Sequence, residues 1–401
     1  MALLSCPVSD DRMKKSNRAR HLLLGVAALM ACGPGGAEDT AQTSSPAGRL
    51  VIIGGALKAD NSAVYDAVVA GRAGDGPLCV VPTASADAQE AMSGAVRVLA
   101  GFAGDDPVTG VLLTTEDPAR AQDPSVAAEL AACSGFYFTG GSQSRILDVF
   151  LPAGDTTAAY RALVQRWREG AVVAGSSAGA AMMSRVMISG GSSAEAVSVG
   201  IASGPDEDGV QIRPGMGFFE PLLDQHFLAR GRIGRLLVSV IREDLPDVGL
   251  GIDENTALVV DGENARVVGA SGVVVVDGRA ARRTGPHRAS GVTVTLAGAG
   301  DVLDLRTLDV RRSDDKTPMP VEDRELEQPD DPFARWAFLH LIEGLSRSEA
   351  EGASFVVSEG TLRISKATGF AGWTAGSGTG VEGTPQGLSA GPFQVDLTGP
   401  G

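Results

Sequence analysis

The stretch Ala171-Val-Val-Ala-Gly-Ser-Ser-Ala-Gly-Ala-Ala181 (AVVAGSSAGAA) decides the fold. Its opening residues Ala171–Ala174 are a short apolar run, the length of a buried strand. Gly175-Ser176-Ser177-Ala178-Gly179 then fits G-x-S-x-G, and Ala178 to Arg185 reads as a helix directly behind it. A strand that turns this sharply into a helix admits only small neighbours and pushes the central side chain out of the sheet. That side chain is Ser177, with Ser176 as second choice. The motif alone is also met in plain tight turns of a Gly-rich chain, so its strand and helix flanks give it weight.

Working back towards the N-terminus, the same alternation repeats. Leu50–Ile53, Leu78–Val81, Val108–Leu113 and Gly135–Phe138 read as strands. Ser62 to about Gly71, Ala86 to about Ala100 and Ala158 to about Glu169 read as helices. Short apolar strands separated by helices predict an α/β domain with a mostly parallel, doubly wound sheet flanked by helices. After about residue 187 the pattern changes to Gly- and Ser-rich turns between short strands. One helix is expected at about 230–243, where Ile233, Leu236, Leu237, Val240 and Ile241 follow the spacing of one buried face. Arg232, Arg235 and Arg242 fall off that stripe. Residues 256–310 read as a β meander, clearest at Val273–Val276 and Val292–Leu296.

Residues 313–332 are charged and Pro-rich, and read as a linker. Beyond them a helix is expected over Phe333–Leu345, with Phe333, Trp336 and Leu339 or His340 on one side. Strand-like pieces follow at Phe355–Val357 and Phe393–Leu397. Residues 333–401 are thus expected to form a small β-rich C-terminal appendage of unknown role, and residues 49–312 the main domain.

The N-terminus reads as a targeting segment. Lys14, Lys15, Arg18 and Arg20 precede the apolar run Leu22–Ala31, which is too short to span a bilayer. Leu29-Met30-Ala31-Cys32 resembles a bacterial lipobox, so residues 1–32 are expected to be a lipoprotein signal peptide with Cys32 lipidated. An ordinary signal peptide is the alternative, and Met13 is an alternative start. Residues 33–48 are Gly-, Ser-, Thr- and Pro-rich and read as a flexible tether. The expected location is therefore the cell envelope or the medium, with the membrane touched only through the anchor.

The chain has 401 residues and a formal net charge of -15. Such an acidic surface argues against nucleic acid and anionic lipid as partners. Cys79 and Cys133 lie at or beside strand-like runs and read as two buried free thiols, a disulfide being the alternative. No Cys/His cluster has metal-ligand spacing, so no metal or cofactor is expected.

A serine needs a neighbouring base to lose its proton near neutral pH, and imidazole is the usual one. The chain has four histidines, and outside the leader only His226 lies near the sheet domain in sequence. Asp253 and Glu254 follow it and offer a carboxylate to hold the imidazole in one tautomer. Each segment alone is uninformative, because core histidines and charged loop ends are common.

Together they resemble a known family. Ser177-Ala-Gly-Ala180, Asp224-Gln-His-Phe227 and Gly251-Ile-Asp-Glu254, in this order, are similar to the cyanophycinase branch of the peptidase E family. Phe138-Thr-Gly-Gly-Ser-Gln143 and Ile53-Gly-Gly55 match as well, and the resemblance covers roughly residues 48–305. It implies a Ser177–His226–Glu254 triad, Glu254 rather than Asp253 matching the family's final acid. It implies an oxyanion site made by backbone N–H groups of Gly140, Gly141 and Ala178. It also implies a substrate site of Gln143, Asp224, Gln225, Arg230, Arg232 and Arg235. Read without it, the arginines are a solvated helix face.

Cyanophycin is a poly-aspartate chain carrying arginine on each side-chain carboxyl. Guanidinium groups would hold its carboxylates, and Asp224 would accept its guanidinium. The implied reaction is release of β-aspartyl-arginine dipeptides, and the implied assembly a homodimer. The rivals are an aspartyl dipeptidase or isopeptidase of the same family, and a non-catalytic binding lipoprotein on the same fold. This chain departs from the family at Ala56, where a third glycine is lost, at Ser176, and in its leader and tail.

Overall fold

The computed structural model describes residues 48–204 and 207–399. The expected signal peptide, Cys32 and nearly all of the expected tether lie outside the described residues.

In chain order the first strands and helices are β1 (Leu50–Ile53), α1 (Ser62–Val69), β2 (Leu78–Val81), α2 (Ala88–Ala103) and β3 (Val108–Gly110). There follow α3 (Pro124–Ala131), β4 (Gly135–Phe138), α4 (Gln143–Phe150), α5 (Ala158–Arg168), β5 (Val172–Ser176) and α6 (Ala178–Ala181). The five strands run parallel in the order β3-β2-β4-β5-β1. Their near-continuous apolar sequences follow from burial on both faces. Leu50, Ile52, Val81 and Phe138 face one core, while Val51, Ile53, Val80 and Tyr137 face the other.

The expected helix behind Ser177 is a single turn. Met182 to Arg185 leave it because the chain must next form β6 (Val186–Gly190), which pairs with β7 (Gln211–Pro214) across α7 (Ser193–Val199). The chain then makes β8 (Leu222–Gln225), α8 (Ile233–Val240) and β9 (Val248–Ile252).

The meander divides between two sheets. β10 (Thr256–Asp261) and β11 (Asn264–Gly269) run antiparallel beside β1, extended by β15 (Val302–Asp304) and β16 (Val310–Arg311). The first sheet is therefore mixed, with a parallel half and an antiparallel half. β12 (Gly272–Asp277) and β14 (Arg288–Gly298), the latter flanked by β13 (Arg282–Gly285), belong to a second sheet.

The region after residue 312 is not an independent appendage. β17 (Lys316–Pro318), β19 (Gly360–Ala375) and β20 (Ser389–Thr398) complete the second sheet, in the order β17-β19-β20-β14-β12-β9-β8. β18 (Gly352–Val357) lies beside β19. Strand pairing between β14 and β20 joins residues about a hundred positions apart, a contact that local composition does not reveal. α9 (Ala337–Arg347) begins four residues later than the expected helix, because Trp336 adopts a left-handed backbone with φ 61°. His340 is exposed, whereas Phe338, Leu341, Ile342 and Leu345 enter the core shared with α8 and the second sheet.

Cys79 and Cys133 form a disulfide, with Cα atoms 5.9 Å apart, which corrects the expectation of free thiols. β2 and β4 are adjacent, so Cys133 just before β4 comes beside Cys79. Sequence position alone does not reveal that neighbourhood.

Candidate active site

Three chain segments meet where the carboxyl ends of β1, β5, β8 and β9 converge. β5 ends at Ser176, and Ser177 turns with φ 56° and ψ -108° into α6. That conformation is costly for a residue with a Cβ, and such strain is typical of a side chain thrust out of its sheet. The Ser177 N–H is fixed by the carbonyl of Ile53 at 2.9 Å.

His226 follows β8 and has a positive φ of 49°. Its N–H donates to the Gly54 carbonyl at 2.7 Å, which pins it to the loop after β1. Gly55 is required there: with φ 105°, its Cα lies against the imidazole, and a methyl group would overlap the ring. Ala56, where the family's third glycine is lost, also sits at positive φ, 46°.

Glu254 lies on the crossover from β9 in the second sheet to β10 in the first. Its Oε1 is 2.6 Å from His226 Nδ1, and His226 Nε2 is 2.9 Å from Ser177 Oγ. The geometry thus places Ser177, His226 and Glu254 in one hydrogen-bonded line. Burial lowers the imidazole pKa below its ordinary value; the Glu254 hydrogen bond opposes this, while the charges of Arg230 and Arg232 add to it. The ring therefore stays neutral, and able to take a proton, to below the usual histidine range.

Gly140 sits beside the nucleophile; a methyl group there would lie 3.4 Å from Ser177 Cβ. Among the described residues, the N–H groups of Gly140 and Gly141 have no protein acceptor. They are the kind of free donors an oxyanion site needs. Ala178 opens α6, where a first-turn N–H has no helical partner.

The expected substrate residues separate into two groups. Arg230 is exposed, and its guanidinium has no ion-pair partner among the described residues. Arg232 is mostly buried, donates to the Gln225 carbonyl at 2.6 Å and lies 3.5 Å from Asp224 Oδ1; burial pushes its pKa down to about 10, against the Asp224 charge, so it remains charged at neutral pH. The Gln225 side-chain oxygen is 3.5 Å from Ser177 Oγ. Gln143 is half-buried and donates to the Ile188 carbonyl at 3.0 Å.

Asp224 and Arg235 are corrected. Asp224 is 1% exposed and Arg235 4%. Arg235 Nε donates to Asp224 Oδ2 at 2.7 Å, its Nη2 to Oδ1 at 2.5 Å, and its Nη1 to the Gly191 carbonyl at 2.6 Å. Both carboxylate oxygens are occupied, so Asp224 is not free to receive a substrate guanidinium, and Arg235 is not free to hold a substrate carboxylate. α8 is buried along its whole length, which is why an off-stripe arginine is inside.

Asp253, which the sequence does not single out beside Glu254, supports the site. It is fully buried, and its Oδ1 accepts the N–H groups of Leu228 and Ala229 at 3.1 and 3.0 Å, in the turn behind His226. Ser271 donates to its Oδ2 at 2.7 Å. Burial outweighs these bonds and pushes its pKa up to about 6. Only its adjacency to Glu254 could have drawn attention to it.

A serine, an imidazole and a carboxylate aligned in this way behind a strand-turn-helix elbow are the equipment of a serine peptidase. Residues 50–268 match the model of peptidase family S51, and the chain belongs to that family. A cyanophycinase from Synechococcus elongatus is 30% identical over 287 residues, covering 68% of this chain and 84% of that protein. A cyanophycinase from Nostoc sp. is 33% identical over 234 residues, covering 57% of this chain and 73% of that protein. A solved peptidase from an acI-B1 Actinobacterium superposes with a TM-score of 0.44 at 21% identity, covering 59% of this chain and 93% of that one.

Proposed function

We propose that this chain hydrolyses cyanophycin by a serine mechanism and does so outside the cytoplasm. The observation that carries the reading is the line Ser177–His226–Glu254, with contacts of 2.9 and 2.6 Å. Ser177 Oγ attacks the carbonyl carbon of an aspartyl backbone amide while His226 Nε2 takes its proton. Glu254 keeps the other ring nitrogen protonated and steadies the imidazolium that forms. Charge on the carbonyl oxygen is met by the N–H groups of Gly140, Gly141 and Ala178. The C–N bond breaks as His226 returns the proton to the leaving amine. Water then attacks the acyl-enzyme through the same base, releasing β-aspartyl-arginine dipeptides and free Ser177.

The cyanophycinase relatives support the choice of polymer. The exposed guanidinium of Arg230 supplies positive charge that acts on His226, suited to the free carboxylates of the polymer's arginine branches. The basic leader, the apolar run 22–31 and Cys32 support export on a lipid anchor. A lipid-modified N-terminal peptide beginning at Cys32, found by mass spectrometry, would establish the anchor; an unmodified N-terminus at another residue would remove it.

The test of substrate is incubation with cyanophycin and mass analysis of the soluble fraction. Wild type yields β-aspartyl-arginine and Ser177→Ala yields none. An inert polymer combined with cleavage of small aspartyl dipeptides would transfer the chain to the dipeptidase reading.

A further inference from the structure

The turn that follows His226 is held from two directions. On one side is Asp253, bound to the Leu228 and Ala229 N–H groups. On the other is a segment from beyond the region that matches the S51 family. The Trp336 N–H donates to the Leu228 carbonyl at 3.0 Å. Gly231, with φ 58°, passes so close to the Phe333 carbonyl that a methyl group would overlap it. The Phe333 ring lies on Gly234 in the first turn of α8. The same turn bonds to itself through Arg230 N–H to His226 carbonyl and Arg232 N–H to Phe227 carbonyl, both 3.0 Å. A shift at Leu228 therefore reaches His226 two residues away.

The segment 333–336 is itself firmly anchored. α9 behind it packs Phe338, Leu341, Ile342 and Leu345 into the core beside α8. Further along the extension, Lys316 Nζ meets Asp301 Oδ1 at 2.7 Å with both side chains fully buried. Ser389 Oγ donates to Asp301 Oδ2 at 2.6 Å and accepts from Lys316 Nζ at 2.7 Å. A triad of this kind, drawn from β17, β20 and the turn before β15, fixes the extension to the catalytic core at a second point. Trp336 holds a left-handed backbone despite its bulk, a conformation that persists only where surroundings enforce it.

We propose that Phe333–Trp336 is a positioning element for the proposed general base: the C-terminal extension sets the orientation of His226 by clamping the Leu228 carbonyl through the Trp336 N–H. The inference rests on Ser177 and His226 acting as a nucleophile and base, and not on the identity of the substrate. A residue that acts this way touches no reacting atom, yet a displacement of the imidazole by about 1 Å can cost on the order of a hundredfold in rate.

The experiment compares full-length Trp336→Gly and Trp336→Pro. Both lose the indole. Glycine keeps the N–H and accepts positive φ, whereas proline loses the N–H and cannot adopt it. The readout is the rate of covalent labelling of Ser177 by a small fluorophosphonate across pH 5–9, normalised to folded protein by near-ultraviolet circular dichroism. This probe needs no polymer site. Trp336→Gly is expected within about threefold of wild type, and Trp336→Pro slower than Trp336→Gly by about tenfold or more at the plateau. Equal rates for the two variants would overturn the proposal.

Should Trp336→Pro not fold, Phe333→Ala decides: labelling slowed about threefold or more in folded protein supports the clamp, and an unchanged rate refutes it. Absence of labelling in wild type would instead bring down the nucleophile assignment, and this proposal with it.

Discussion

Replacing Asp224 by alanine leaves the Arg235 guanidinium without its carboxylate in a site where Arg235 is 4% exposed. Breaking a buried pair by removing one partner typically costs ~3–5 kcal/mol, because the remaining charge is neither paired nor hydrated. Unfolding entropy near ~2.1 cal/mol/K per residue, over about 350 described residues, converts this to a fall of roughly 4–7 °C in Tm. The pair is shielded from solvent, so 1 M salt leaves the difference nearly intact. Scanning calorimetry at pH 7 on wild type and Asp224→Ala measures it. Removing the charge as well, in Asp224→Ala/Arg235→Leu, is expected to recover part of the loss, since replacing both members of such a pair is often close to neutral. A shift under about 1 °C in Asp224→Ala, coupled to a tenfold rise in KM for polymer, would refute the structural role and return Asp224 to the substrate.

Asp253 has its pKa raised to about 6 from the ordinary 3.8, so the folded state favours its protonated form. Its contribution is present at low pH and lost as pH rises from about 4 through about 6, on the order of 3 kcal/mol from a shift of roughly two units. Asp253→Asn should flatten the stability profile over that window, and an unchanged slope in denaturant titrations would count against the assignment. His226 has a lowered pKa, so the acidic limb of kcat/KM should lie below the ordinary histidine value of about 6.5; a limb above 7 contradicts it. Ala56→Gly relieves a positive-φ alanine and is expected to stabilise by about 0.5–1 kcal/mol in urea titrations, whereas destabilisation would show the strain to be absent. Opening the Cys79–Cys133 bridge in a Cys→Ala double variant should cost about 4 kcal/mol for a separation of 54 residues, read as a lower melting temperature.

The parallel half of the first sheet was legible because its strands are fully buried and its helices amphipathic, so apolar runs and periodicity report it directly. The elbow at Ser177 was legible for the same reason, being a local strand-turn-helix signal. His226 and Glu254 came from motif order, since nothing local distinguishes a base at the end of β8 from a core histidine. What failed to show were the non-local neighbours. Arg235 fell off the apolar stripe of α8, but that helix is enclosed on all sides and its arginine is neutralised by Asp224 from another strand. The Pro-rich charged run at 313–332 looked like a linker, although β17 inside it pairs with β19. The tail's strands were visible, as was β14 at Val292–Leu296, while the pairing of β14 with β20 was not. Asp253 was hidden because its task is to accept two backbone N–H groups whose placement exists only in the folded chain.

The central claim is that Ser177 is made nucleophilic by His226. Mapping the site of a fluorophosphonate adduct by peptide mass spectrometry tests it most directly. Modification of Ser177, none at Ser176, and loss of the adduct in His226→Ala are expected. An adduct on another serine, or undiminished labelling in His226→Ala, would contradict it.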